Sequence, residues 1–199
     1  PDGDTPSGGN GPIGTSVDGI RCDPHAALGS IHIHMHVTLI KDGVTIAVPE
    51  AIGVANPGPE AGGSIDNGDC FYWIHTHDRT GILHQESVQG GASPPYLMRQ
   101  LLHVWGMTIT RDPSSLQGSI AGFADPTKNL RGRIRIFTSD ATGGGGSPYV
   151  TGTNLVEVPA TTDPATLALN AHQEITIEIS TATPDTWAPV PRYKWLGSL

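Results

Sequence analysis

Nine histidines occur in this chain of 199 residues, and six of them fall between positions 32 and 84. His32, His34 and His36 are spaced by two, as are His75 and His77, and His84 and Glu86. On a β-strand, residues two apart project from the same face. Neutral imidazole is a good ligand for zinc, copper, nickel and iron. A stable site needs three or four such donors converging at about 2.0–2.2 Å from the ion. A single H-x-H pair on an exposed strand is ordinary polar surface. Three spaced histidines, a second pair and a sixth across a turn form a ligand set instead. Packed together without an ion, they would leave many ring nitrogens to satisfy. The candidate metal ligands are therefore His32, His34, His36, His75, His77, His84 and Glu86.

These ligands must be positioned by strands. Residues 31–40 (IHIHMHVTLI) begin in strict alternation, with Ile33, Met35 and Val37 on the face opposite the histidines. Met35 thus points away from the ligands and is not expected to be an axial donor. Lys41-Asp42-Gly43 signals a turn, with Val44 to Val48 returning. Residues 71–77 read as one aromatic-rich strand, Asp78 to Gly81 as a turn, and Ile82 to Val88 as the next strand. If Arg79-Thr80 is the tip of that hairpin, His75 faces His84 and Trp73 faces Glu86, with facing Cβ atoms about 5 Å apart.

Ser93-Pro94-Pro95 predicts the start of a helix running to Trp105, with Ser93 as N-cap, Pro94 at the first turn and Gly106 as the stop. His103 falls with Tyr96, Arg99 and Gln100 on the expected solvent face. Further strands are expected at Gly132 to Thr138, Asn154 to Val158 and Glu174 to Ser180, with Gly143 to Gly146 a loop. His172 is expected to be a structural loop residue, and His25 carries no signal of its own. The fold class is mainly β (α+β): an antiparallel or mixed sheet or sandwich with one short helix near 94–105. Residues 1–19, rich in Gly, Pro, Ser and Asp, are a tail that either a neighbouring subunit or the chain's own globule must hold. Residues 20–199 form a single domain.

Composition bounds the function. Only 15% of residues are charged, and the net charge is −8 with Lys and Arg scattered, which argues against nucleic-acid binding. No apolar run approaches the roughly 18 residues of a membrane span. Gly (26) and Pro (17) favour short strands and many turns. Cys22 and Cys70 read best as one disulfide in an oxidising compartment; two buried free thiols or a thiolate ligand are the alternatives. The chain opens at Pro1 rather than Met, as expected after removal of a leader or trimming. The expected location is secreted, periplasmic or cell-surface.

The segment His32-Ile-His-Met-His36, with Cys70-Phe-Tyr-Trp-Ile-His-Thr-His-Asp-Arg-Thr-Gly-Ile-Leu-His-Gln-Glu-Ser87, resembles a group of uncharacterised secreted bacterial proteins. They share an H-x-H strand, a C-x-Y-W-x-H-T-H-D-x-T-G-x-x-H-x-E-S segment and a later helix ending as in His103-Val-Trp-Gly106. The resemblance covers roughly residues 18–110 and implies metal binding, with no activity to carry over.

Three functions are compatible with these features. The first is an extracytoplasmic carrier, buffer or electron-transfer protein for copper or zinc, copper being favoured by the Irving–Williams order. The second is a self-assembling surface or filament subunit braced by metal, a homo-oligomer joined through its N-terminal tail. The third is a metal-dependent enzyme with an open three-histidine site and Glu86 or Asp78 as base.

Overall fold

The computed structural model describes residues 13–122, 129–139, 155–190 and 193. The first half carries β1 (Ser16–Val17), β2 (Ile20–Asp23), β3 (Ile31–Lys41), β4 (Val44–Ile46), β5 (Val54–Ala55), β6 (Cys70–Tyr72), β7 (Ile74–His75) and β8 (Ile82–Ser87). Helix α1 (Met98–Trp105) follows, then β9 (Thr108–Arg111), β10 (Gln117–Ala121), β11 (Leu130–Ser139), β12 (Leu155–Glu157) and β13 (Glu174–Ser180). The fold is mainly β. A small sheet has the order β1-β2-β6-β5, and a large one the order β7-β8-β3-β13-β11-β10-β9, with β12 added to β11 and β4 to β3. All pairings are antiparallel except β3 with β13, so the large sheet is mixed.

The alternation in β3 sorts the large sheet into two faces. Met35 and Val37 are buried with Ile175, Ile177 and Ile179 of β13, Ile134 and Ile136 of β11, and Met98, Leu101, Leu102 and Trp105 of α1. Each such side chain removed from water stabilises the fold by roughly 1.5–3 kcal/mol. His32, His34 and His36 stand on the opposite face. There β13 contributes Glu174, Thr176 and Glu178, which the following segment covers: Ala188 donates its N–H to Glu178 Oε1 (2.7 Å) and Tyr193 to Glu174 Oε2 (3.1 Å).

Residues 71–77 are not one strand. The chain changes sheets at Trp73, whose N–H donates to the Arg21 carbonyl while its own carbonyl accepts from Glu86 N–H. One backbone group is thus committed to each sheet, and the indole Nε1 is fixed on Asp23 Oδ2 (2.9 Å). A disulfide joins Cys22 to Cys70, with Cα atoms 5.5 Å apart, and ties β2 to β6.

The helix starts at Met98, four residues beyond the expected first helical position. Tyr96 is committed elsewhere. Leu169 N–H bonds the Tyr96 carbonyl, Met98 N–H bonds the Leu167 carbonyl, and Tyr96 N–H reaches Gln85 Oε1. Leu97 is the N-cap, its N–H held by the Gln100 side chain (2.8 Å). Tyr96 is consequently buried rather than exposed. Gly106 ends the helix in the left-handed region as expected.

Strands β1, β2, β5, β9 and β10 were not expected from the sequence. The described end of the N-terminal stretch is docked on the chain's own fold: β1 pairs with β2, and Asp18 pairs with Arg99 and His103. Most of the expected tail (residues 1–12) and the Gly143 to Gly146 loop lie outside the described residues.

Candidate metal centre

The register of three neighbouring strands builds one half of the site. In the β3–β8 ladder His34 faces His84 and His32 faces Glu86; in the β7–β8 ladder His75 faces His84. His34, His84 and His75 therefore form a row across three strands, and Glu86 lies two residues along. The outer group is His32, His34 and His84. His32 Nε2 is 3.0 Å from His84 Nδ1 and 3.1 Å from Glu86 Oε1, and His84 Nδ1 is 3.4 Å from the same oxygen. Two ligand atoms on one tetrahedral ion lie about 3.3–3.4 Å apart, given bonds of about 2.0–2.1 Å. Nε2 of His34 is buried with no hydrogen-bond partner, an arrangement that native proteins seldom leave uncompensated.

The inner group is His25, His75, His77 and Glu86. His75 is fully buried, and its Nδ1–H donates to the Tyr72 carbonyl (2.8 Å). His77 Nδ1–H donates to the Ile65 carbonyl (2.8 Å) and lies 3.1 Å from Asp66 Oδ1. Carbonyl oxygens only accept, so the proton of each neutral ring sits on Nδ1 and the Nε2 lone pair is bare. Those two Nε2 atoms face each other at 3.2 Å. Two acceptors at that distance repel unless a cation lies between them. Glu86 Oε1 is 3.8 Å from His75 Nε2. His25, from the turn after β2, stacks on Phe71 (centroids 4.2 Å apart) and lies 5.2 Å from the His77 ring. On the back of β7, Gly53 lets the chain pass against the strand: its φ is +69°, and a Cβ there would come within 2.4 Å of the Ile74 carbonyl.

Burial keeps His34, His75 and His84 neutral. Burial, then the charges of His84 and His32, push His34 down to about 3. Burial, then His84 and His77, hold His75 well below the ordinary value, and burial lowers His84 as well. Burial works to raise the Glu86 carboxyl, but the hydrogen bond from His84 and the imidazoles of His32 and His84 bring it below the usual range. His34, His75 and His84 thus offer unprotonated nitrogens beside one carboxylate, the donor state that divalent metals require.

Of the seven residues expected from spacing, the fold gathers six: His32, His34, His75, His77, His84 and Glu86. His36 is not among them. Its Nε2 lies 2.8 Å from the Thr80 carbonyl and its ring stacks on Tyr193, because it sits one pleat further along β3, opposite Ile82. His25 was missed by spacing. The signal for it was the disulfide: once Cys22 pairs with Cys70, a histidine three residues past one cysteine must approach a histidine five past the other. His103 is exposed beside Asp18. His172 bonds the His34 carbonyl through its backbone N–H (2.6 Å) and stands outside both groups. A cavity of about 330 Å³, bordered by Glu50, Glu60, Asp78 and Arg79, opens onto His77.

Fold and site together define a disulfide-linked, two-sheet β protein with a partly buried histidine–carboxylate cluster. The chain matches no family model, no curated protein and no solved structure. Among the described residues no helix is long and apolar enough to cross a membrane.

Proposed function

We propose that this is an extracytoplasmic transition-metal-binding protein whose ion is held by His75, His77 and Glu86, with His25 completing the set. The observation that carries this reading is the pair of Nε2 lone pairs facing each other at 3.2 Å, each ring locked in that tautomer by a backbone carbonyl. Locking the second nitrogen is how proteins orient metal-binding histidines. Copper is favoured over zinc on raw affinity for a nitrogen-rich set. The disulfide supports an oxidising compartment, and the resemblance to secreted bacterial proteins that share the His75–Glu86 segment points the same way.

The test is elemental analysis of protein purified without contact with metal resin. Stoichiometric copper or zinc, with the metal content reduced in the double variant His75→Ala/His77→Ala at unchanged circular dichroism, supports the reading. Protein without metal that also fails to take up added Cu²⁺ or Zn²⁺ overturns it.

A second reading, metal-dependent catalysis, is favoured by the cavity beside His77, which would give a substrate a path to the ion. An exchangeable water on the loaded ion, detected by relaxation of solvent protons, separates an open catalytic site from a saturated binding one.

A further inference from the structure

The proposed ion uses three or four donors, yet the same face holds six imidazoles and one carboxylate. The remaining three, His32, His34 and His84, are as convergent as the first set, with neighbouring ring centroids 4.4–5.2 Å apart. They have the same unmet requirement, since buried Nε2 of His34 has no partner. One atom touches both sets: Glu86 Oε1 lies 3.1 Å from His32 Nε2, 3.4 Å from His84 Nδ1 and 3.8 Å from His75 Nε2. Glu86 itself is only 3% exposed, so its charge is not solvated by water.

We infer that the centre is dinuclear: a second transition-metal ion is held by His32, His34 and His84, and the Glu86 carboxylate bridges the two. This rests on the metal-binding reading above.

Three physical arguments support it. A single ion of three or four ligands cannot use seven donors, and leaving the outer group empty would leave the buried His34 Nε2 without a partner. Each donor set alone brings three histidines, the number that holds an ion with a further position free for a carboxylate oxygen. Two ions on neighbouring sites repel, and a buried carboxylate between them is the charge that offsets this. Ions sharing a bridging ligand stand about 3.5–4 Å apart. The fold also separates the two sets by origin. The outer one comes from the β3–β8 ladder, while the inner one comes from β7, the segment after it and the turn after β2. Each can therefore be removed without dismantling the other.

The experiment is titration of chelator-treated full chain with Cu²⁺, read by isothermal calorimetry and electron paramagnetic resonance. Two ions per chain are expected. The integrated signal should rise to the first equivalent and then fall, or develop a half-field line, as the second copper couples to the first. His32→Ala/His34→Ala should bind one ion with an uncoupled signal, and His75→Ala/His77→Ala likewise. His103→Ala, on an exposed histidine away from both sets, should leave the stoichiometry at two. Glu86→Gln keeps the side-chain shape and should abolish the coupling. Binding of one ion by the unmodified chain overturns the inference while leaving the metal-binding reading intact. Two ions without magnetic coupling, or coupling that survives Glu86→Gln, overturns the bridge. Absence of any binding removes both.

Discussion

The inner and outer histidine groups have similar spacing but are held in different ways. His75 and His77 are each fixed by a backbone carbonyl on Nδ1, and they come from a segment pinned between two sheets at Trp73. His32 and His34 stand on a regular ladder, with His32 exposed and His34 half-buried. The inner group is preorganised by irregular structure. The outer is arranged by strand pairing alone and stays nearer to solvent. Preorganisation determines how much of the binding energy is lost to ordering side chains, so the inner set is expected to be the tighter one.

The sharpest way to break this comparison is to remove ligands. His75→Ala/His77→Ala should weaken binding of the first ion by more than about 100-fold, since losing even the supporting contacts of a ligand costs about 10–100-fold. His32→Ala/His34→Ala should leave that first affinity within about 10-fold. Competition with a chromogenic chelator measures both, and equal losses would erase the distinction between the groups.

The disulfide gives the next largest effect. It closes a separation of 48 residues, and bridges of that kind stabilise by about 2–4 kcal/mol. Because Cys22–Cys70 ties β2, and with it His25, to the strand leading into His75, Cys22→Ser/Cys70→Ser should weaken the inner site and spare the outer. Denaturant unfolding with and without metal checks this. An inner affinity unchanged after the bridge is removed would show that the small sheet does not position these ligands.

Acid should act on the metal-free protein. His75, His34 and His84 are held below the ordinary value of 6.5, to about 3 for His34. The unfolded chain therefore takes up protons first, so stability is full above pH 6.5 and is lost as pH falls toward the folded-state values. For fully buried His75 the slope is on the order of 1 kcal/mol per pH unit. Thermal unfolding of the apo chain between pH 7.5 and 5 should show a falling midpoint, and bound metal should flatten the curve to the pH at which protons displace the ion. A midpoint independent of pH would contradict the neutral, buried state of these rings.

The smallest effect sharpens the boundary of the site. His36→Ala should leave metal content unchanged and cost about 1 kcal/mol of stability, through the lost contact with the Thr80 carbonyl and the Tyr193 ring. Loss of an ion in that variant would return His36 to the ligand set.

Much of this was legible in the residues. The period-two histidines of β3, the turn at Asp42-Gly43, the strand at Glu174–Ser180 and the His75–His84 facing pair follow from alternation and turn chemistry, which are local. The short strands β1, β2, β5, β9 and β10 were not legible, because two to five residues carry too little pattern to separate a strand from a loop. The helix start was displaced for a tertiary reason: Tyr96 uses its backbone groups on Leu169 and Gln85, and Met98 N–H bonds the Leu167 carbonyl.

The sequence by itself determined which face of each strand carries imidazole, because side chains alternate with a fixed period. It could not determine which of those imidazoles meet, since that depends on contacts between segments remote in the chain. The sheet change at Trp73, the approach of His25 to the inner group, and the ladder offset that carries His36 away to Tyr193 were decided by tertiary structure alone, although the Cys22–Cys70 bridge itself was expected from the sequence. The same is true of Glu86: its spacing made it a ligand candidate, but only the packing of three strands placed one carboxylate oxygen between both groups of rings.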